Sequence, residues 1–241
     1  MSGFAATGRG GVVAAALARV EEWLLDPADH ARAHRPTLAP AEPPIVAVVP
    51  LAPRSGSTTV ARGLAAVLAT RSAVAAALVC GRSGNVALSL STPAASRLSR
   101  SVGDWVDAPN RVSGRLCLVE GDARIARAAA LRNHCALVVD VAYGADASEP
   151  AALADVVVLV ASAETEPPLA AVVGAALAGS GPEPLLVLVR ADADSPAREH
   201  AHLVLPDARL ASRIALAGRE PPGVLGSALA ELADRCAEAA R

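Results

Sequence analysis

The residues best suited to chemistry lie in one short stretch. Ile45–Leu51 is an uninterrupted apolar run, Ala52-Pro53-Arg54-Ser55-Gly56 follows as a loop, and Ser57-Thr58-Thr59 opens a segment with Val60, Leu64, Val67 and Leu68 at helical spacing. A strand that turns directly into a helix N-terminus points backbone N–H groups and the positive end of the helix dipole outward. That combination suits a phosphate. The same three hydroxyl residues also suit simple capping of the helix. Asp140 closes a second apolar run that begins at Cys135, either as a site acid or as a polar strand end. Other candidates have weaker logic. His200 and His202 have no acidic residue at metal-ligand spacing, and surface or turn positions explain them. Gly81-Arg82-Ser83-Gly84 can hold an anion or simply turn. Ser195 lacks the partners of a hydrolase triad. Glu164 and Glu166 after a strand suit a site acid or a solvated helix start.

The elements that must position these residues follow a rhythm. Apolar runs at 45–51, 74–80, 116–119, 136–141, 156–161, 185–189 and 202–205 read as strands. Helical patterns are expected at 58–71, 93–102, 123–133, 167–178, 207–217 and 224–239. Strands with no polar alternation are buried on both faces. Alternation with helices predicts a three-layer α/β domain, its mostly parallel sheet flanked by helices. Ligands of such sheets bind at the C-terminal strand ends. Ahead of this domain, Val13, Leu17, Val20 and Leu24 share one face of a helix over 11–25. Four prolines in 36–44 then forbid regular structure. The expected organisation is an N-terminal helical extension at 1–35, a Pro-rich linker at 36–44 and the main domain at 45–241.

Composition narrows the function classes. The chain has 241 residues, 53% hydrophobic and 19% charged, which excludes a disordered chain. Aromatics are 2%, so a base-stacking platform for single-stranded nucleic acid is excluded and the core is built from Val, Leu and Ala. The net charge of -2 gives no field favouring DNA, and Arg97, Arg100, Arg111 and Arg115 make no basic stripe. All 22 basic residues are arginine, so no lysine chemistry is available. Cys80, Cys117, Cys135 and Cys236 are too widely spaced for a zinc site and read as buried thiols of a cytoplasmic protein. No apolar run approaches the length of about 20 residues that spans a bilayer.

The segment from Ile45 to Ala65 resembles the opening of the ParA/MinD-like P-loop ATPases, whose loop reads K-G-G-x-G-K-T-T. Further segments fall in the family's order: 75–82 in place of the second strand, Val102-Gly-Asp-Trp-Val-Asp-Ala, Leu116-Cys-Leu-Val-Glu-Gly, the Walker B-like run ending at Asp140, 154–161, and Leu205-Pro206-Asp207. The resemblance covers about 45–240 and implies a P-loop NTPase-like fold. It also implies a nucleotide site at Arg54, Ser55, Gly56, Ser57, Thr58, Thr59 and Asp140, with Thr58 and Asp140 as Mg²⁺ ligands if a nucleotide binds. Aligned on Thr58-Thr59, however, the P-loop lysine falls at Ser57 and the signature lysine at Ala52. Two of the glycines fall at Pro53 and Arg54, and the aspartates after the second strand fall in Cys80-Gly81-Arg82.

Phosphoryl transfer rests on positioning and electrostatic stabilisation, so these losses predict little catalysis. Arg54 or Arg62 would have to compensate. The expectation is a catalytically degenerate ParA/MinD-like protein with no required cofactor, acting as scaffold or regulator in a partition, division-site or pilus-localisation system. The alternative is an active ATP–Mg²⁺ switch with an unusual loop. A protein partner or self-association is expected, with 1–35 as the candidate element. The last helix carries Val224, Leu225, Leu229, Leu232 and Cys236 as an apolar stripe, with Glu231, Asp234 and Glu238 opposing an anionic membrane. It is expected to pack on its own domain.

Overall fold

The computed structural model describes residues 43–71, 75–80, 99–101, 116–132, 134–192 and 194–241, all within the unit Pro40–Arg241. Eight strands form one sheet: β1 (Ile45–Pro50), β2 (Ala75–Cys80), β3 (Ser99–Ser101), β4 (Leu116–Glu120), β5 (Ala136–Val141), β6 (Val156–Ser162), β7 (Leu185–Val189) and β8 (Leu203–Leu205). Their order is β3-β4-β2-β5-β1-β6-β7-β8, and every neighbouring pair is parallel. The helices are α1 (Ser57–Arg71), α2 (Ala123–Arg132), α3 (Ser148–Leu153), α4 (Pro167–Ala178), α5 (Arg209–Leu216) and α6 (Gly223–Ala239). The parallel sheet with helices on both faces is the expected three-layer α/β fold.

The two faces explain why the strands carry no polar alternation. Val46, Val48, Val158 and Val160 pack with α1, α5 and α6 on one face. Ile45, Ala47, Val49, Val157 and Leu159 pack with α2 and α4 on the other. With so few aromatics, the core closes by bringing backbones near. Helix α2 buries Ala123, Ala126, Ala129 and Ala130, so its axis can approach the sheet closely. On α1, a methyl at Gly63 would stand 2.6 Å from Leu229 Cδ1 and 3.2 Å from Ala215 Cβ, so only glycine admits α5 and α6 at this distance.

The elements otherwise fall within one or two residues of the expected bounds. Two differences have physical causes. Ser99–Ser101 is a strand, where the alanine-rich pattern over 93–102 suggested a helix. It pairs in parallel with β4, Ser99 beside Leu118 and Ser101 beside Glu120, so an open sheet edge overrides a weak local propensity. Helix α3 has too few residues for a period to show; it starts where Asp146 Oδ1 accepts the N–H of Ser148 at 2.9 Å. On α6, Leu225, Leu229, Leu232 and Cys236 are buried against the domain as expected, but Val224 faces solvent at 72% exposure. Cys135 and Cys236 are buried thiols outside any disulfide, and burial pushes the Cys236 thiol up to about 12, far from reactivity. The helix expected at 11–25, most of the linker, Gly81–Gly84, Pro93–Leu98 and the Trp105 segment lie outside the described residues.

Candidate functional site

The loop after β1 sits at the C-terminal edge of the sheet, where a central strand is flanked by β5 on one side and β6 on the other. Pairing continues one residue past the strand, the Leu51 N–H donating to Val160 O at 2.9 Å. The chain then turns sharply. Ser55 N–H donates to Ala52 O at 3.3 Å, and the first helical bond runs from Val60 N–H to Gly56 O at 3.0 Å. The turn needs left-handed backbone at two places, φ 61° at Arg54 and φ 88° at Gly56. Glycine meets this without strain at 56. At 54 the side chain makes it unfavourable by roughly 1–2 kcal/mol. Pro53 and Arg54 point to solvent, Ser55 is buried, and Ser57, Thr58 and Thr59 are half-buried. Ser55 is only 1% exposed, yet its Oγ has no hydrogen-bond partner.

Asp140 is the penultimate residue of β5. Parallel register sets it beside Val48 of β1 and Val79 of β2, below the loop. It is 4% exposed, and three influences set its charge. Burial is the largest and raises the carboxyl pKa to about 6; a hydrogen bond from the Thr58 hydroxyl and the positive charge of Arg62 act the other way. Thr58 and Arg62 are four residues apart on α1, so both lie on the helix face that meets β5. Arg62 is 2% exposed and donates from one guanidinium nitrogen to Leu216 O at 2.7 Å, while its Nε has no partner. Burial pulls its pKa down and Asp140 works against that. The bonded carbonyl is the last residue of α5, one of the groups a helix end leaves unpaired. Arg62 therefore serves the interior and is not free to replace a loop lysine.

One residue outside the expected site set joins the loop. Arg190 follows β7 with φ 57°, and its guanidinium donates to the Arg54 carbonyl at 2.7 Å. Val189 packs there too, its Cγ1 3.5 Å from where a Gly56 methyl would stand. The end of β7 thus forms one wall of the loop. By resemblance, Val189-Arg190-Ala191-Asp192 is the strand end where the ParA/MinD-like family often has an asparagine near the nucleotide base, but nothing at a separation of 136 residues predicts that Arg190 bonds the loop.

The structure gives the remaining candidates ordinary duties. His202 Nδ1 accepts the N–H of Leu186 at 2.8 Å, while His200 is exposed at the end of a 3-10 turn. Among the described residues no group of His, Cys, Asp or Glu is arranged to hold a metal ion. Ser195 Oγ donates to Asp192 Oδ1 at 3.0 Å in a local turn. Between Glu164 and Glu166, Thr165 is buried and its Oγ1 accepts the N–H of Ser162 at 3.0 Å.

Two parts of the site fit a magnesium-bearing phosphate ligand. The orphaned Ser55 hydroxyl lies in a loop that leads into a helix N-terminus, and Thr58 and Asp140 are adjacent oxygen donors of the type Mg²⁺ takes. Ala52 and Ser57, on the same loop, carry no charge.

No family model and no curated protein matches the chain by sequence. Solved structures do match it. A ParA family ATPase from Chlorobium tepidum superposes with TM-score 0.55 at 14% identity, covering 79% of this chain and 98% of that one. The MinD cell division protein of Aquifex aeolicus gives 0.57 at 14% identity, covering 80% and 96%. A putative plasmid partition protein from Borrelia burgdorferi, solved bound to AMPPNP, gives 0.50 at 10% identity, covering 82% and 98%. The fold is accordingly the ParA/MinD-like P-loop fold. Among the described residues no helix is long and apolar enough to cross a membrane.

Proposed function

We propose that this chain is a positioning protein of the ParA/MinD type that works without turning over ATP, as a scaffold or regulator in the cytoplasm. The observation that carries the reading is a retained frame with its charges removed. The strand, loop and helix are in place, and Thr58 meets Asp140, yet Ser57 and Ala52 stand at the lysine positions of a chain with no lysine. Transition-state charge at a transferring phosphoryl group would meet no cation from either position. Bound Mg²⁺, held by Thr58 and Asp140, would neutralise phosphate charge. Ser55 and the loop N–H groups would hold and orient the phosphates; Arg62, bonded to Leu216, would hold the Asp140 carboxylate ionised. Phosphate release from ATP and Mg²⁺ should stay at background. Turnover that Thr58→Ala abolishes would overturn this reading and favour the second one, an ATP-driven switch, for which the Thr58–Asp140 pair speaks.

The protein contact is assigned to 1–35. A helix of about 15 residues is marginal in water, and its apolar stripe of Val13, Leu17, Val20 and Leu24, with Trp23 beside it, needs a surface to cover it. A polyproline conformation over 36–44 would reach roughly 28 Å at about 3.1 Å per residue, a length that would allow contact with a partner. Deleting 1–35 should abolish partner capture and leave the melting temperature nearly unchanged. Unchanged capture with a large fall in melting temperature would refute the assignment.

A further inference from the structure

The loop has a charge problem that its own sequence does not solve. Ser57 and Ala52 bring no cation, and Arg62 is bonded inside the domain. Two arginines remain at the loop's outer rim, Arg54 and Arg190, both exposed. Among the described residues no carboxylate pairs with either. The nearest acid in sequence, Asp192, turns one oxygen to its own loop: its Oδ1 accepts from Ser195 Oγ at 3.0 Å and from Asp194 N–H at 3.2 Å.

Arg190 is the better placed of the two. It is anchored, since one of its terminal nitrogens donates to the Arg54 carbonyl at 2.7 Å. A guanidinium has five N–H donors in a planar fork, so one bond to a carbonyl leaves others for an oxyanion. The same bond holds a carbonyl whose residue sits in left-handed backbone, φ 61°, where a side chain is unfavourable. Anchoring therefore fixes the guanidinium and the loop together. The buried, unpartnered Ser55 Oγ one residue later marks independently a loop with a hydrogen-bonding group still to be satisfied.

We propose that Arg190 is the positioning and charge-supplying residue of this loop, fixing its shape through the Arg54 carbonyl and presenting its remaining N–H groups to the phosphates of a polyphosphate-bearing ligand. The assignment rests on reading the loop as a retained anion cradle. It locates the positive charge on a neighbouring strand end instead of within the loop. Occupancy is thereby coupled to the β7–β8 connection, which carries Arg190, Asp192 and Ser195.

Calorimetric titration of inorganic tripolyphosphate and of ADP, with Mg²⁺, into the full chain tests this. The variants are Arg190→Gln and Arg190→Lys, each with its melting temperature. Wild type should bind both probes. Arg190→Gln should weaken binding at least about tenfold, the scale of one charge-assisted hydrogen bond. Its melting temperature should stay within a degree or two, because the side chain is exposed. Arg190→Lys should recover part of the affinity. Amide exchange at 55–59 should quicken in Arg190→Gln, which a distant charge alone would not cause. Binding equal in wild type and Arg190→Gln would overturn the proposal and leave the anion cradle standing. Failure of wild type to bind either probe would overturn the cradle, and the proposal with it.

Discussion

Asp140→Asn should make the protein more stable, and the gain should depend on pH. The carboxyl is 4% exposed and its pKa stands at about 6, against an ordinary 3.8. That rise corresponds to about 3 kcal/mol by which the folded chain disfavours the ionised form. The figure already contains the opposing attractions of Arg62 and Thr58, so it is the net preference for a neutral group. Asparagine is such a group at every pH, with an oxygen still able to accept from Thr58. Between pH 3.8 and about 6 the folded wild type binds a proton that the unfolded chain has released. The contribution of Asp140 is therefore full below 3.8, falls as pH rises through this window, and is flat above it. Urea denaturation at pH 8 should show Asp140→Asn more stable by about 1–3 kcal/mol, a midpoint shift of roughly 1 M. At pH 4.5 the gain should shrink to about 1 kcal/mol or less. A variant less stable than wild type at pH 8, or a gain independent of pH, would refute the argument. The expected sign would support the proposed site role of Asp140, an acid whose charge costs the fold stability.

Gly63→Ala should lose about 1–2 kcal/mol in chemical denaturation despite better helix propensity. The new methyl meets Leu229 Cδ1 at 2.6 Å and Ala215 Cβ at 3.2 Å, and Leu229 is fully buried, so the packing of α5 and α6 must shift. Leu229→Ala should lose about 2–5 kcal/mol, the range for a large buried side chain cut to a methyl. Anionic liposomes should not sediment with the protein, since α6 has its stripe from Leu225 to Cys236 inside the domain; co-sedimentation lost on deleting 224–241 would contradict this.

Much of the fold was legible because its signals are local. The buried strands are short apolar runs, and α6 announces itself by length and by the stripe of Leu225, Leu229, Leu232 and Cys236. The loop was legible too, since the order strand, small loop, hydroxyl residues and helix is read directly from 45–71. The same text shows that no lysine stands at 52 or 57, since the chain has none. Local reading failed where elements are short or their partners distant. Ser99–Ser101 has a helical neighbourhood in sequence and becomes a strand only because β4 offers an open edge. Arg62 looks like any helix arginine until α1 is laid on β5 and beneath the end of α5, which buries it between Asp140 and the Leu216 carbonyl. Arg190 reaches the loop only because the sheet order sets β6 and then β7 beside β1. Residue types and local spacing are properties of the chain. Which charges are desolvated, and which side chain meets a carbonyl 136 residues away, are properties of the packed sheet alone.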